Sequence, residues 1–300
     1  MPRATVVRVS LPVRFELELT LFGHGWIDLA PHRWVKETRH FHSVIAGADV
    51  DAWQKGRVLH LKTSGNSKQV RAGVSRMLRL DHDLAAFWSL CKNDPALSWV
   101  ARRGAGRLLA SPTLFEDLAK LLMTTNCTWA VTRNMASNLV GALGQRALSG
   151  NRAFPDAAVC AKKSASFYRE VVRMGYRAQS MVNLARGFAS GKLDADHFED
   201  PTLSTDEVRE RLLELDGFGP YAAGQALRLL GRYDDLALDS WCRATYAKHR
   251  GKKKPPSDRT IAREYRRFGN YQGLALWMDL TAPWHGEGRG QSQPILKVER

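Results

Sequence analysis

Asp239 is the residue with the most chemistry to offer. It stands eighteen residues after Tyr221, at the expected start of a helix. Unpaired N–H groups and the helix dipole hold a carboxylate charged at such a place. What precedes it has the outline of a phosphate clamp. Residues 204–231 read as two short helices around a Gly-rich turn. Ser204 and Glu207 have capping-box spacing, and Val208, Leu212 and Leu215 recur at helical intervals. Gly217 and Gly219 flank Phe218 in a turn where φ > 0 is expected, Pro220 suits the first turn of the second helix, and Gly231 stops it. The backbone N–H groups of residues 218–222 are then expected to lie free at a helix N-terminus, which is a ready phosphate site. A phosphate clamp with one carboxylate at a fixed distance points to chemistry on nucleic acid.

The charge agrees. Among 300 residues, 45 Lys and Arg stand against 30 Asp and Glu, a formal net charge of +15 that favours polyanion partners. A basic chain from an arginine-using genome is the bland alternative, and the hairpin decides against it. The four cysteines, Cys91, Cys127, Cys160 and Cys242, are widely spaced with no CxxC pair. That excludes a zinc ribbon or a disulfide scaffold and suits reduced thiols in the cytosol. No run of 18 apolar residues and no secretory h-region is present, so no membrane partner is expected.

On these residues the chain resembles the helix-hairpin-helix, Gly/Pro-rich loop and aspartate signature of the base-excision DNA glycosylase superfamily. Thr124-Thr125-Asn126-Cys127 and Gly175-Tyr176-Arg177-Ala178 resemble segments of 8-oxoguanine DNA glycosylases, while Phe15 to Leu21 and Leu80 to Phe87 resemble the N-terminal region of bacterial 3-methyladenine DNA glycosylase II proteins. The resemblance covers roughly residues 10 to 285. It implies a monomeric, cytoplasmic enzyme of a bacterial cytosol or nucleoid that acts on double-stranded DNA containing a damaged base. The cysteine spacing departs from the iron–sulfur loop of endonuclease III and adenine-mismatch glycosylases, so no cluster and no required cofactor are expected.

The resemblance assigns roles. Asp239 matches the essential aspartate, which would stabilise positive charge developing on the sugar and orient a water at C1′. Tyr221 stands where bifunctional members carry the lysine that forms a Schiff base, so hydrolysis without strand cleavage is implied. Its ring can stack on a flipped base, and Trp129 and Trp241 are further candidates for the base pocket; each could equally be a core aromatic. Gly217, Phe218, Gly219, Pro220 and Ala222 would hold the lesion strand. A structural monovalent or divalent cation is expected at the carbonyls of Leu213, Leu215 and Phe218. Tyr176 matches a wedge that fills the gap left by a flipped base, with Asn126 and Arg177 reading the opposite base. Val131 occupies the place of an arginine expected after Asn126, which weakens strict opposite-cytosine reading. Arg243, one turn after Asp239, is a phosphate candidate; Lys252 to Lys254, Arg102, Arg103 and Arg107 are weaker ones, and a solvated charge run is the competing reading. His40 and His42 share a strand face but are too few for a metal site.

The elements that must position these residues follow from periodicity. The predicted fold class is α+β, a small N-terminal antiparallel β-sheet packed on a mostly α-helical helix-hairpin-helix glycosylase domain. The sheet region is expected over 1–80, the helical domain over 81–285 and a flexible tail over 286–300. Strict alternation over residues 14–21 predicts a half-buried strand, joined by strands at Trp34 to Lys36 and Val58 to Lys62. Helices are predicted after Asp81 and Asp83, after Pro112, through Val131, Met135 and Leu139 to Gly144, from Ser164, from about Ala178 to Ala189, after Ser257 and over Gly273 to Leu280. Of the damaged bases, an alkylated purine of the 3-methyladenine type is slightly favoured. An 8-oxoguanine-type enzyme and a non-catalytic helix-hairpin-helix DNA-binding protein are the alternatives.

Overall fold

Alternation of apolar and polar residues over 40–63 builds a sheet with one dry face. In the computed structural model, which describes residues 4–287, this sheet has five strands in the order β1 (Thr5–Ser10), β5 (Val58–Thr63), β4 (Ala48–Lys55), β3 (His40–Ile45) and β2 (Arg33–Val35), each pair antiparallel. Phe41, Val50, Ala52, Leu59 and Leu61 are buried on the inner face, while His40, His42, Asp51, Trp53 and His60 form a half-buried outer row. There Trp53 stacks between His40 and His60, with ring centroids at 5.0 and 5.2 Å. Asp51 joins the two strand histidines, its Oδ1 lying 2.6 Å from His40 Nδ1 and 3.8 Å from His42 Nδ1. Asn66 caps the helix Ser67–Met77, whose Val70, Val74 and Met77 are buried in the core shared with the sheet.

The strand expected over residues 14–21 is not one. Arg14 turns the chain at φ +59, and Leu17–Leu21 is a short helix whose first N–H donates to Gln54 Oε1 at 2.7 Å. Leu17, Leu19, Thr20 and Leu21 are all buried. A single helical turn enclosed nearly all round shows no 3.6-residue pattern, so alternation there carried no strand signal. The sheet edge is Thr5–Ser10 instead.

The remaining helices follow their caps. Thr113 caps Leu114–Thr124, the Ser204–Glu207 capping box opens Thr205–Leu213, and Ser257 caps Asp258–Tyr265. Trp129–Leu143, Ala165–Glu170, Ala178–Ala189, Pro220–Leu229, Ser240–His249 and Gln272–Thr281 complete the set used below. Leu114–Thr124 is the central helix: Leu114 to Met123 are all buried, and its charged members are paired, Lys120 with Glu116 at 2.5 Å and Asp117 with Arg76 at 2.8 Å.

Two large apolar clusters result, beside a small one of Val44, Ala147 and Ala153. One runs from the sheet through the central helix to the hairpin residues Val208, Leu212, Phe218 and Ala222. The other joins Phe87, Trp99, Cys242, Tyr246, Tyr265 and Leu274. Residues 22–28, nominally part of the sheet region, reach the seam between them through Trp26. The expected tail begins at Gly286, in the left-handed region at φ +70, and Glu287, which pairs with Arg102 at 3.1 Å; the rest of it lies outside the described residues. Among the described residues no helix is long and apolar enough to cross a membrane.

Candidate active site

Two glycines let the hairpin and the loop after it come close to their neighbours. Gly217 has φ +82, and a Cβ there would lie 2.8 Å from both Leu122 Cδ1 and Ser180 Oγ, so conformation and packing both demand glycine. Within Pro220–Leu229, a Cβ on Gly224 would lie 2.9 Å from Ala237 Cβ. This close pass brings residues 235–239 back along the helix. Asp235 fixes that loop by accepting the Ala237 N–H at 2.5 Å and holding Arg209 at 2.8 Å, and Leu236 accepts a hydrogen bond from Arg228 at 2.9 Å.

The hairpin N-terminus is narrower than expected. Phe218 N–H donates to the Leu215 carbonyl at 3.0 Å and Pro220 has no N–H, so Gly219, Tyr221 and Ala222 supply the available donors. Gly219 itself is extended, φ −100 and ψ −174, not left-handed; its role is the open space over it, where a Cβ would meet no atom within 4 Å. Of the carbonyls considered for a cation, that of Leu215 already accepts the Phe218 N–H.

Asp239 caps Ser240–His249, its Oδ1 accepting the Cys242 N–H at 2.6 Å. Its carboxylate opens on a cavity of about 300 Å³ on the seam between the two clusters. Five tryptophans and one tyrosine line it: Trp26, Trp129, Tyr221, Trp241, Trp277 and Trp284. Tyr221, Trp129 and Trp241, the three aromatic residues singled out for a base pocket, thus line one cavity with Asp239. Trp129 is fixed by donating to Asp28 at 2.6 Å and lies parallel to Trp26, 12° apart. Trp26 in turn donates to the buried Asp117 at 2.8 Å, and Trp241 leans on Trp277 and Trp284. Tyr221 donates to Thr124 Oγ1 at 3.3 Å, and burial, aided by the nearby Asp239 charge, pushes its phenol up to about 12. Burial likewise pushes the Cys242 thiol up to about 12, which leaves it inert.

Sequence reasoning missed Trp26, Trp277, Trp284, His24 and Gln225. Gln225 carried a signal, lying one helical turn beyond Tyr221 on the same face. Burial lowers His24 to about 3, with the Arg228 charge acting in the same direction, so the ring is neutral at physiological pH.

A second group lies apart from the cavity. Asn126, at φ +44, donates from Nδ2 to Tyr176 Oη at 3.1 Å, and Tyr176 is 66% exposed. This juxtaposes residues fifty apart in sequence at the exposed surface. Arg177 does not join them on the surface. It is buried, its guanidinium donating to the Thr125 carbonyl and hydroxyl and to Met174 O, with its charge 4.5 Å from the Tyr176 ring centroid. It braces the loop under Tyr176. Arg243 is not free either, since Asp258 holds it through two bonds of 2.7 and 2.8 Å. Arg107 is buried against the Arg79 carbonyl, Arg102 and Arg103 pair with Glu287, and Lys252 to Lys254 are exposed.

The geometry has solved counterparts. The chain superposes on MBOgg1, solved with a low-affinity DNA ligand, with a TM-score of 0.75 at 19% identity over 94% of this chain and 97% of that one. An 8-oxoguanine glycosylase/lyase from Clostridium acetobutylicum gives 0.72 at 18% over 92% and 95%. The 3-methyladenine DNA-glycosylase from Archaeoglobus fulgidus gives 0.71 at 20% over 92% and 97%. The fold is that of the helix-hairpin-helix DNA glycosylases. In sequence, the chain is 24% identical over 210 residues to a DNA-3-methyladenine glycosylase of Bacillus subtilis (strain 168), a match covering 66% of this chain and 68% of the relative. No protein-family model matches it.

Proposed function

We propose that this chain is a monofunctional DNA glycosylase of base excision repair, which hydrolyses the N-glycosidic bond of an alkylated purine. The observation that carries the reading is Asp239, a capped carboxylate opening on an aromatic-walled cavity beside a hairpin N-terminus. The hairpin N–H groups of Gly219 and Tyr221 hold a phosphate of the lesion strand. Tyr176 fills the gap in the duplex while the damaged base turns into the cavity, which is of a size typical of small-ligand sites. As the C1′–N bond lengthens, its electron pair leaves with the base and positive charge grows on the sugar. Asp239 stabilises that charge and takes a proton from the water that attacks C1′. The products are the free base and an abasic site.

Two features support hydrolysis without strand scission. Tyr221 cannot form a Schiff base, and no lysine is among the described residues lining the cavity. An alkylated purine leaves as a neutral base from a cationic one and needs little acid assistance, which suits a site with one carboxylate. Aromatic faces favour such cations. The similarity to the Bacillus subtilis DNA-3-methyladenine glycosylase supports the same class. The 8-oxoguanine reading draws on the Asn126–Tyr176 pair and on the structural likeness to 8-oxoguanine glycosylases, but buried Arg177 and Val131 remove the guanidinium groups that would read an opposite cytosine. A passive clamp would leave unexplained why Asp239 faces the cavity. Monomeric action is part of the proposal. The Leu213, Leu215 and Phe218 carbonyls are hard oxygen donors that fit a monovalent or alkaline-earth cation as a structural bridge to phosphate.

The test is base release from methylated duplex DNA, read with and without alkali. Alkali-dependent strand breaks at methylated purines support the reading. Breaks without alkali refute the monofunctional assignment, and intact DNA under both conditions refutes the alkylpurine one.

A further inference from the structure

Most polar groups in the cavity wall are already committed. Thr124 Oγ1 donates to Leu121 O at 2.7 Å, Thr132 Oγ1 to Met123 O at 3.2 Å, and Trp277 Nε1 to Gly23 O at 2.9 Å. Gln225 is different. It is 4% exposed and lines the cavity one turn beyond Tyr221. Its Oε1 accepts from Arg228 Nη1 at 2.7 Å. Arg228 is itself buried, anchored by Leu236 O and lying 4.6 Å from the Trp277 ring centroid. A guanidinium has no acceptor, so the amide cannot be turned the other way: oxygen faces Arg228 and the NH2 group faces away from it. That NH2 group has no partner among the described residues, although Gln225 is almost wholly enclosed. His24, also buried and neutral, leaves Nδ1 unpartnered in the same wall. The cavity wall therefore holds unspent hydrogen-bonding groups among its aromatic rings, and at Gln225 the polarity is fixed as donor.

We propose that Gln225 is a specificity-determining residue, whose amide N–H groups donate to the exocyclic oxygen of the flipped base, so that purines with a 6-oxo group are selected over those with a 6-amino group. This rests on the glycosylase reading and narrows its substrate class. A 6-amino group brings N–H against N–H, and both donors then stay buried without an acceptor. Arg228 is a positioning residue, acting on the base only through the amide it orients.

The test uses one methylated duplex, from which 7-methylguanine and 3-methyladenine are released together and separated by chromatography. A second duplex carries hypoxanthine. The readout is the ratio of single-turnover release rates, 6-oxo over 6-amino, because general damage to the protein or its DNA binding lowers both alike. In Gln225→Leu the ratio is expected to fall about tenfold, the scale of one buried hydrogen bond. Gln225→Glu keeps a partner for Arg228 but presents an acceptor to the cavity. There the ratio falls at least as far, with 3-methyladenine release retained and hypoxanthine release lost. Base release with a ratio unchanged in both variants overturns the role of Gln225 while leaving the glycosylase reading intact. Absence of release of any of the three bases by the wild-type chain overturns both.

Discussion

Asp239→Asn separates a catalytic carboxylate from a mere helix cap. Asparagine Oδ1 accepts the Cys242 N–H as aspartate does, so the start of Ser240–His249 is kept and only the charge is lost. The magnitude follows from Coulomb's law. A unit positive charge on the sugar about 4 Å from the carboxylate, in a half-buried site of effective dielectric constant near 20, is stabilised by about 4 kcal/mol. That corresponds to about a thousandfold in rate, since each 1.4 kcal/mol is roughly a factor of ten. The assay is single-turnover release of methylated bases, paired with a melting curve. The expected result is a rate reduced by two to four orders of magnitude, roughly, at a Tm within about 2 °C of wild type. A variant that melts normally and keeps more than about a tenth of the rate would refute the electrostatic role, because no screening by water short of full exposure reduces the term so far.

Further outcomes follow from the same structure. Tyr221→Lys places an amine beside Asp239 and is expected to yield a borohydride-trappable covalent complex with lesion DNA, whereas the wild type gives none; trapping of the wild type would mean that another amine does the work. Tyr176→Ala removes an exposed ring and should lower release from duplex DNA by about tenfold to a hundredfold with Tm changed by no more than about 1 °C, as an exposed side chain whose one hydrogen bond, to Asn126, is open to solvent adds little stability. Arg177→Ala should instead cost stability, about 2 to 4 kcal/mol, by leaving Thr125 and Met174 carbonyls without a buried donor, seen as a fall in denaturant midpoint. Acid should destabilise the protein: burial first, then the Arg228 charge, lowers His24 to about 3 from an ordinary 6.5, so its contribution is complete above 6.5 and is lost as pH falls from there towards 3. At pH 5 that is about 2 kcal/mol, and His285, lowered to about 4 by burial beside Arg103, adds to it. A Tm that stays level from pH 7 to 5 would contradict both histidines being buried neutral.

Local signals were legible wherever a side chain acts on its own backbone. The capping box at Ser204 and Glu207, the caps Ser164 and Ser257, Pro220 at a first turn and Asp239 as an N-cap are all short-range hydrogen bonds or fixed φ angles, so spacing alone exposes them. The strand expected over 14–21 failed for the same reason in reverse. Its four apolar residues alternate, but burial all round a single helical turn erases the polar face that distinguishes helix from strand.

What the chain determines by itself, then, is its run of helices, the hairpin turn and the aspartate that follows at a readable distance. Tertiary structure alone decides who meets Asp239. Trp26 arrives from beside the sheet, Trp277 and Trp284 from the last helix and the turn after it, and the cavity exists only because two separate apolar clusters meet along a seam. Arg177 and Arg243 look like DNA contacts in sequence, yet long flexible cations go to whichever acceptor lies within reach, a half-buried carbonyl for Arg177 and an exposed carboxylate for Arg243, and both lie far along the chain. The polarity of Gln225 is decided in the same way. No local rule orients an amide, and only the guanidinium packed behind it does.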